Sequence, residues 1–108
     1  MLYQLRTYII PAGRMPDILR RFETVTMDLF RKHGIDVVGF WTVEDPNPGR
    51  ELVYLTRFES QQAADAAWDA FRVDPEWVEA KASSEADGPI VEEVIEKVLS
   101  PAAFSAMQ

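Results

Sequence analysis

The chain opens on strict alternation. In "MLYQLRTYII", Tyr3, Leu5, Thr7 and Ile9 share one side, and Leu2, Gln4, Arg6 and Tyr8 the other. A period of two with β-branched and aromatic residues predicts a strand. Pro11 and Gly13 end it. The period then changes. In "GRMPDILRRFETVTMDLFRKHG", Met15, Ile18, Leu19, Phe22, Val25, Leu29 and Phe30 recur every three or four residues, the apolar stripe of a long amphipathic helix. Pro16 suits its first turn, where an N–H would go unpaired, and Asp17 complements the positive end of the dipole. Gly34 provides the left-handed stop. "IDVVGFWTVED" and "RELVYLTRFE" flank a turn of Pro46, Asn47, Pro48 and Gly49 and read as a hairpin, with Leu52, Tyr54, Thr56 and Phe58 on one face of the returning strand. "SQQAADAAWDAFRV" is a second helix, capped by Ser60, with a stripe of Ala64, Ala67, Trp68 and Phe71. "DPEW" restarts the helix with Asp74 as cap and Pro75 in the first position.

"IVEEVIEKVL" fits either period: Val91, Val94, Ile95 and Val98 form a helical stripe, yet the run is rich in β-branched residues. Topology decides for a strand, since a hairpin plus one strand needs a fourth to complete the sheet. The order β-α-β-β-α-β is the ferredoxin-like, α+β arrangement, an antiparallel sheet with helices on one face. The other face then needs cover. The mixed side of the first strand, with Leu2, Gln4, Arg6 and Tyr8, is assigned to a second copy, so a homodimer is expected. Residues 1–99 form the domain and residues 100–108 a partly ordered C-terminal tail.

At 108 residues there is room for one domain. The net charge of −7 disfavours nucleic acid and anionic membrane surfaces. No cysteine is present, which fits a reducing compartment. No run approaches a membrane span and the N-terminus lacks signal-peptide features, so a soluble, cytoplasmic protein is expected.

Several segments together resemble the NIPSNAP family of the dimeric α+β barrel superfamily. "LRTYIIPAGRMPDILRRF" is similar to its opening strand and helix, "KHGIDVVGFW" to its helix exit and second strand, "ELVYLTRFES" and "DPEW" to its third strand and second helical region, and "VLSPAAFS" to its C-terminal segment. The resemblance spans nearly the whole chain. It implies the fold and a dimer more than any activity. Larger eukaryotic members are associated with mitochondria and vesicle-related roles, but nothing here resembles a mitochondrial targeting sequence. Neighbouring families include cofactor-free monooxygenases, isomerases, dehydratases and haem enzymes that use a pocket between sheet and helices. Fold alone does not carry their chemistry across.

The candidate chemistry is sparse. His33, the single histidine, follows Leu29 and Phe30 at helical spacing and sits at a helix C-terminus. It reads as a cap or edge-of-core residue, or as a general base at a pocket rim. A metal site on it lacks a second His or any Cys. Arg6 and Tyr8 share a strand face and can hold a carboxylate or enolate oxygen, or form an interface ion pair with an aromatic neighbour. Trp41, Tyr54, Trp68 and Trp77 are either packing residues or the walls of an apolar pocket for a planar ligand. Glu92, Glu93 and Glu96 read as a solvated edge that discourages aggregation. No phosphate loop or serine-nucleophile elbow appears, and no cofactor is expected. Two readings stand. One is a homodimer that binds a small apolar or carboxylated molecule, with cofactor-free monooxygenase or isomerase-like chemistry as an extension. The other is a non-catalytic interaction module in which the dimer itself is functional.

Overall fold

The period-two segments become four strands in a computed structural model that describes residues 1–108. They are β1 (Leu2–Ile9), β2 (Asp36–Thr42), β3 (Glu51–Phe58) and β4 (Glu93–Leu99). Their order across the sheet is β2-β3-β1-β4, and every neighbouring pair is antiparallel. The first helical stretch has two α-helical parts, Met15–Arg21 and Met27–Lys32, joined by a π-helical turn, Phe22–Thr26. Together they make α1. Two more helices, α2 (Gln61–Arg72) and α3 (Pro75–Ser84), follow β3. The architecture is the expected α+β, ferredoxin-like one.

The caps form as their residue types dictate. Ser60 accepts from the Ala63 N–H at 3.1 Å, and Asp74 from the Glu76 N–H at 2.9 Å. Gly34, at φ +74°, turns the chain so that the Ile35 N–H reaches Phe30 O at 2.8 Å. In the π-helical turn the Met27 N–H bonds back to Phe22 O. A wider turn advances less per residue, and Thr26 rather than Val25 is buried there. Leu19, expected in the stripe, is largely exposed instead.

The helices cover one sheet face, and it is not the face the first strand's alternation had assigned to them. Gln4 is buried beneath α2, Arg6 lies under Trp68, and Tyr8 packs on Phe22 of α1. The register sets these beside Thr56, Tyr54 and Leu52, the core side of β3. Alternation separates two faces but does not say which is inside. The mixed face can be buried because its polar groups find partners there: Trp68 Nε1–H donates to Gln4 Oε1 at 2.6 Å. The face left open carries Tyr3, Leu5, Thr7 and Ile9.

That open face carries one row from edge to edge, Trp41–Val53–Thr7–Ile95, that is apolar but for Thr7. Trp41, at 53% exposure, is on this side, and its ring lies over Gly39, where a Cβ would come within 2.9 Å. The C-terminal tail folds back onto one corner of the same face. Tyr3 Oη donates to Gln108 O at 3.0 Å, and Phe104 projects outward, 94% exposed.

β4 forms as predicted from Glu93, while Ile90 just before it is fully buried in the core. On the helix side β4 is incompletely roofed: Val94 and Val98, in register with Tyr8 and Gln4, stay 44% and 50% exposed. A cleft opens there.

Candidate functional site

Two of the three polar candidates and two of the four aromatic ones meet in one hydrogen-bonded cluster on the helix side of β1 and β3. Arg6 Nε–H donates to Tyr54 Oη at 2.8 Å, and Tyr54 Oη lies 2.8 Å from Tyr8 Oη. Arg6 also pairs with Glu96 of β4 and stacks beneath the Trp68 ring, 4.4 Å from its centroid. The Arg6–Glu96 pair is the register partner across β1 and β4, so the carboxylate expected to sit on a solvated edge instead closes this cluster.

The direction of the Tyr54–Tyr8 bond follows from what is buried. Tyr54 is fully buried, and apart from Tyr8 its only hydrogen-bonding neighbour is Arg6, which donates and cannot accept. A buried hydroxyl hydrogen needs an acceptor, so Tyr54 donates to Tyr8. Burial pushes the Tyr54 phenol well above its ordinary pKa, Tyr8 beside it adds to the rise, and Arg6 opposes it. Tyr54 therefore keeps its proton. For Arg6, burial works against the charge, but the Tyr54 and Tyr8 oxygens more than offset it and hold the pKa above its usual value. The polarity thus runs in one sense, Arg6 to Tyr54 to Tyr8. Tyr8's own O–H hydrogen remains uncommitted.

Tyr8 lies in the wall of the cleft beside β4. This cleft, about 280 Å³, is bounded by Tyr8 and Val94 from the sheet, Arg21 from α1, and Trp77, Lys81 and Glu85 from α3 and its end. Val91 adds to its apolar lining, and Glu92 and Glu93 also line it, so charged side chains outnumber apolar ones in its wall. Trp77 carries the Arg21 guanidinium over its ring at 4.8 Å and packs on Phe71 with centroids 4.7 Å apart. Arg21 was not singled out by its sequence. Its signal was there, because it falls three residues after Ile18 and one before Phe22, a charge set within an apolar stripe.

His33 stands elsewhere. It is the C-terminal cap residue of α1, and its Nε2 lies 2.7 Å from Asp74 Oδ2. Lys32 Nζ reaches the same oxygen at 2.8 Å. Asp74, buried, is also the cap of α3, so one carboxylate ties the exit of α1 to the start of α3. The hydrogen bonds from Lys32, His33 and the Glu76 N–H, in that order, hold its pKa well below the carboxylate range. His33 also borders a broader cleft of about 550 Å³ over the alanine face of α2, beside the Arg57–Asp36 ion pair. Neither Arg6 nor Tyr8 lines that cleft, so the structure does not bring the three polar candidates together. Trp41, on the opposite sheet face, is likewise remote from Tyr54, Trp68 and Trp77.

No group of three or more His, Asp or Glu side chains converges as a metal-ligand set. No helix is long and apolar enough to cross a membrane.

The fold has close relatives. The chain is similar to protein Atu4242 of Agrobacterium tumefaciens, described as a NIPSNAP family protein with unknown function, at 26% identity and TM-score 0.86 over 100% of this chain and 94% of that one. It is also similar to an uncharacterized NIPSNAP domain protein of Burkholderia xenovorans, at 24% identity over 97% of this chain and 98% of that one, with TM-score 0.84. A putative antibiotic biosynthesis monooxygenase of Nitrosomonas europaea shares the fold alone, at 10% identity and TM-score 0.64 over 94% and 98% of the two chains. A comparison with curated proteins finds no match. The family model for NIPSNAP matches residues 3–106, nearly the full length, and the chain belongs to the NIPSNAP family.

Proposed function

We propose that this protein binds a small organic molecule in the cleft between β4 and helices α1 and α3. The observation that carries this reading is the one-way hydrogen-bonded series Arg6–Tyr54–Tyr8, which ends on a polarised phenol whose residue lines a cleft of mixed apolar and charged walls. Pockets of this kind combine apolar walls with a few fixed polar groups, and the cleft has Trp77, Val91 and Val94 for the former. A cationic group behind a phenol strengthens its donation to an oxygen that carries charge. The same arrangement suits an enolate oxygen, which supports proton-transfer chemistry of the isomerase or cofactor-free oxygenase kind as a second reading. The ligand is bound by a homodimer in this proposal. The open sheet face offers an edge-to-edge, mainly apolar row for a second copy, and the tail covers only one corner of it. The absence of cysteine suits a cytoplasmic setting.

The experiment is an NMR titration of the labelled protein with a panel of uncharged bicyclic aromatic fragments. Shifts should cluster at Tyr8, Trp77, Val91 and Val94, and Tyr8→Phe should weaken binding about tenfold, the worth of one well-made hydrogen bond. Shifts confined to the alanine face of α2, or none at all, would overturn the assignment. Light scattering on the eluting protein tests the dimer: a monomer at micromolar concentration, unchanged in Trp41→Glu, rules it out.

A further inference from the structure

Arg21 poses a problem that the cleft itself answers. Its side chain is only 6% exposed, and its Nε–H has no hydrogen-bond partner within the chain. A buried charged donor without an acceptor is costly. The partners it does have are modest. Nη1 donates to Ser84 Oγ at 3.1 Å and approaches Glu85 Oε2 at 3.5 Å, longer than a good charge-assisted bond. The remaining neighbour is the face of Trp77. Burial lowers the pKa of Arg21, with Glu85 and Tyr8 only partly opposing, as expected of a cation whose counter-charge is incomplete. The carboxylate nearest to hand, Glu85, is the residue that ends α3, just before the turn to Gly88. It is attached to the rim of the cleft rather than to its floor.

We infer that the molecule bound in this cleft is an aromatic or aliphatic carboxylic acid, whose carboxylate takes the Arg21 guanidinium from Glu85 and accepts the free O–H of Tyr8.

This rests on the proposed use of the cleft and deepens it by naming the ligand class. The chemistry fits on each side. Arg21 presents a planar guanidinium whose Nη1 is held only by Ser84 and, at long range, by Glu85, a fork that a carboxylate can match in bidentate fashion once Glu85 gives way. Lys81 in the same wall adds positive charge, against the negative charge of Glu92 and Glu93, which also line the cleft. Trp77, Val91 and Val94 receive the apolar body. Glu85 acts as a resident stand-in, satisfying part of Arg21 when the cleft is empty and swinging towards solvent when an acid arrives. An uncharged ligand of the same shape cannot displace it.

The test uses 2-naphthoate and its uncharged counterpart 2-naphthamide, titrated into the full chain and followed by NMR. Naphthoate should bind at least about tenfold more tightly, with shifts at Tyr8, Arg21 and Trp77. Glu85→Gln removes the competing carboxylate and should tighten naphthoate several-fold while leaving naphthamide where it was. Arg21→Met should bring the two probes to the same affinity. Because Arg21 is buried and its loss can unfold the chain, Glu85→Gln serves as the independent readout. Equal binding of the two probes to the wild-type cleft overturns the carboxylate inference and leaves the cleft as a neutral-ligand site. Absence of binding by either probe overturns the cleft as well. An unchanged naphthoate affinity in Glu85→Gln overturns the displacement.

Discussion

The helix–sheet layer holds two buried charge clusters, and they differ in what they leave over. Around Asp74 the carboxylate is fully engaged within the chain. Lys32, His33 and the Glu76 N–H converge on one carboxylate that fastens α1 to α3. Around Arg6 the bonds run in a line and stop at Tyr8, whose hydrogen has no partner. A closed cluster can only stabilise, whereas an open-ended one can also meet a ligand. The single histidine, which draws the eye in a chain of this composition, belongs to the closed cluster.

The Arg6 cluster depends most on Trp68, which roofs Arg6, bonds Gln4 and packs on Phe71. Trp68→Ala should cost about 3–5 kcal/mol by chemical denaturation, because it opens a cavity and orphans Gln4 together. A loss under about 1 kcal/mol would show that this residue does not organise the layer.

A finer cut separates the line from the closed cluster. Tyr8→Phe strands the hydroxyl hydrogen of buried Tyr54 and should destabilise by about 1–3 kcal/mol. Made in a Tyr54→Phe background, the same change should cost much less. Additive effects in that double-mutant cycle would mean the two phenols do not share the bond in the sense derived above.

The Asp74 cluster should speak through pH. Its folded pKa is depressed, so the unfolded chain binds the extra proton as pH falls. The contribution is therefore complete above the ordinary carboxylate range and is lost as pH drops through and below it. Asp74→Asn should lower stability at neutral pH and flatten the acid limb of the stability curve. An acid limb identical to wild type would remove Asp74 from that role. The smallest change is expected from His33→Ala. The melting temperature should fall by less than in Asp74→Asn, and affinity for ligands of the β4 cleft should not move. A loss of binding with an unmoved melting temperature would return the histidine to a working role.

Periodicity carried most of the fold. Four strands, the long helix and both later caps were legible because each rests on local spacing or on a residue type with one strong geometric habit. Ser60, Pro75 and Gly34 are examples. What periodicity lacks is an absolute inside. Gln4, Arg6 and Tyr8 looked like an outward face because their polarity was visible and their partners were not. Those partners, Trp68, Tyr54 and Glu96, lie 64, 48 and 90 residues away. The site was half legible for the same reason. Arg6, Tyr8, Tyr54 and Trp77 announced themselves by type, while Trp41 had equal claim by type and lies on the other side of the sheet. Arg21 went unremarked because a lone arginine beside a stripe is common on solvated helices. Only its burial distinguishes it.

The π-helical turn in α1 has a consequence for how the family's sequences can drift. It is one residue in excess of a regular helix, held where Phe22 and Thr26 enter the core. Removing one residue between them would let the segment close as a regular α-helix with Met15, Ile18 and Phe22 still facing the sheet. The same deletion in the regular part of α1 has no such slack, and it would turn the residues before it by about 100° relative to those after it. The wide turn is therefore the place in α1 where the chain can shorten by one residue and keep both its core stripe and Arg21 in position.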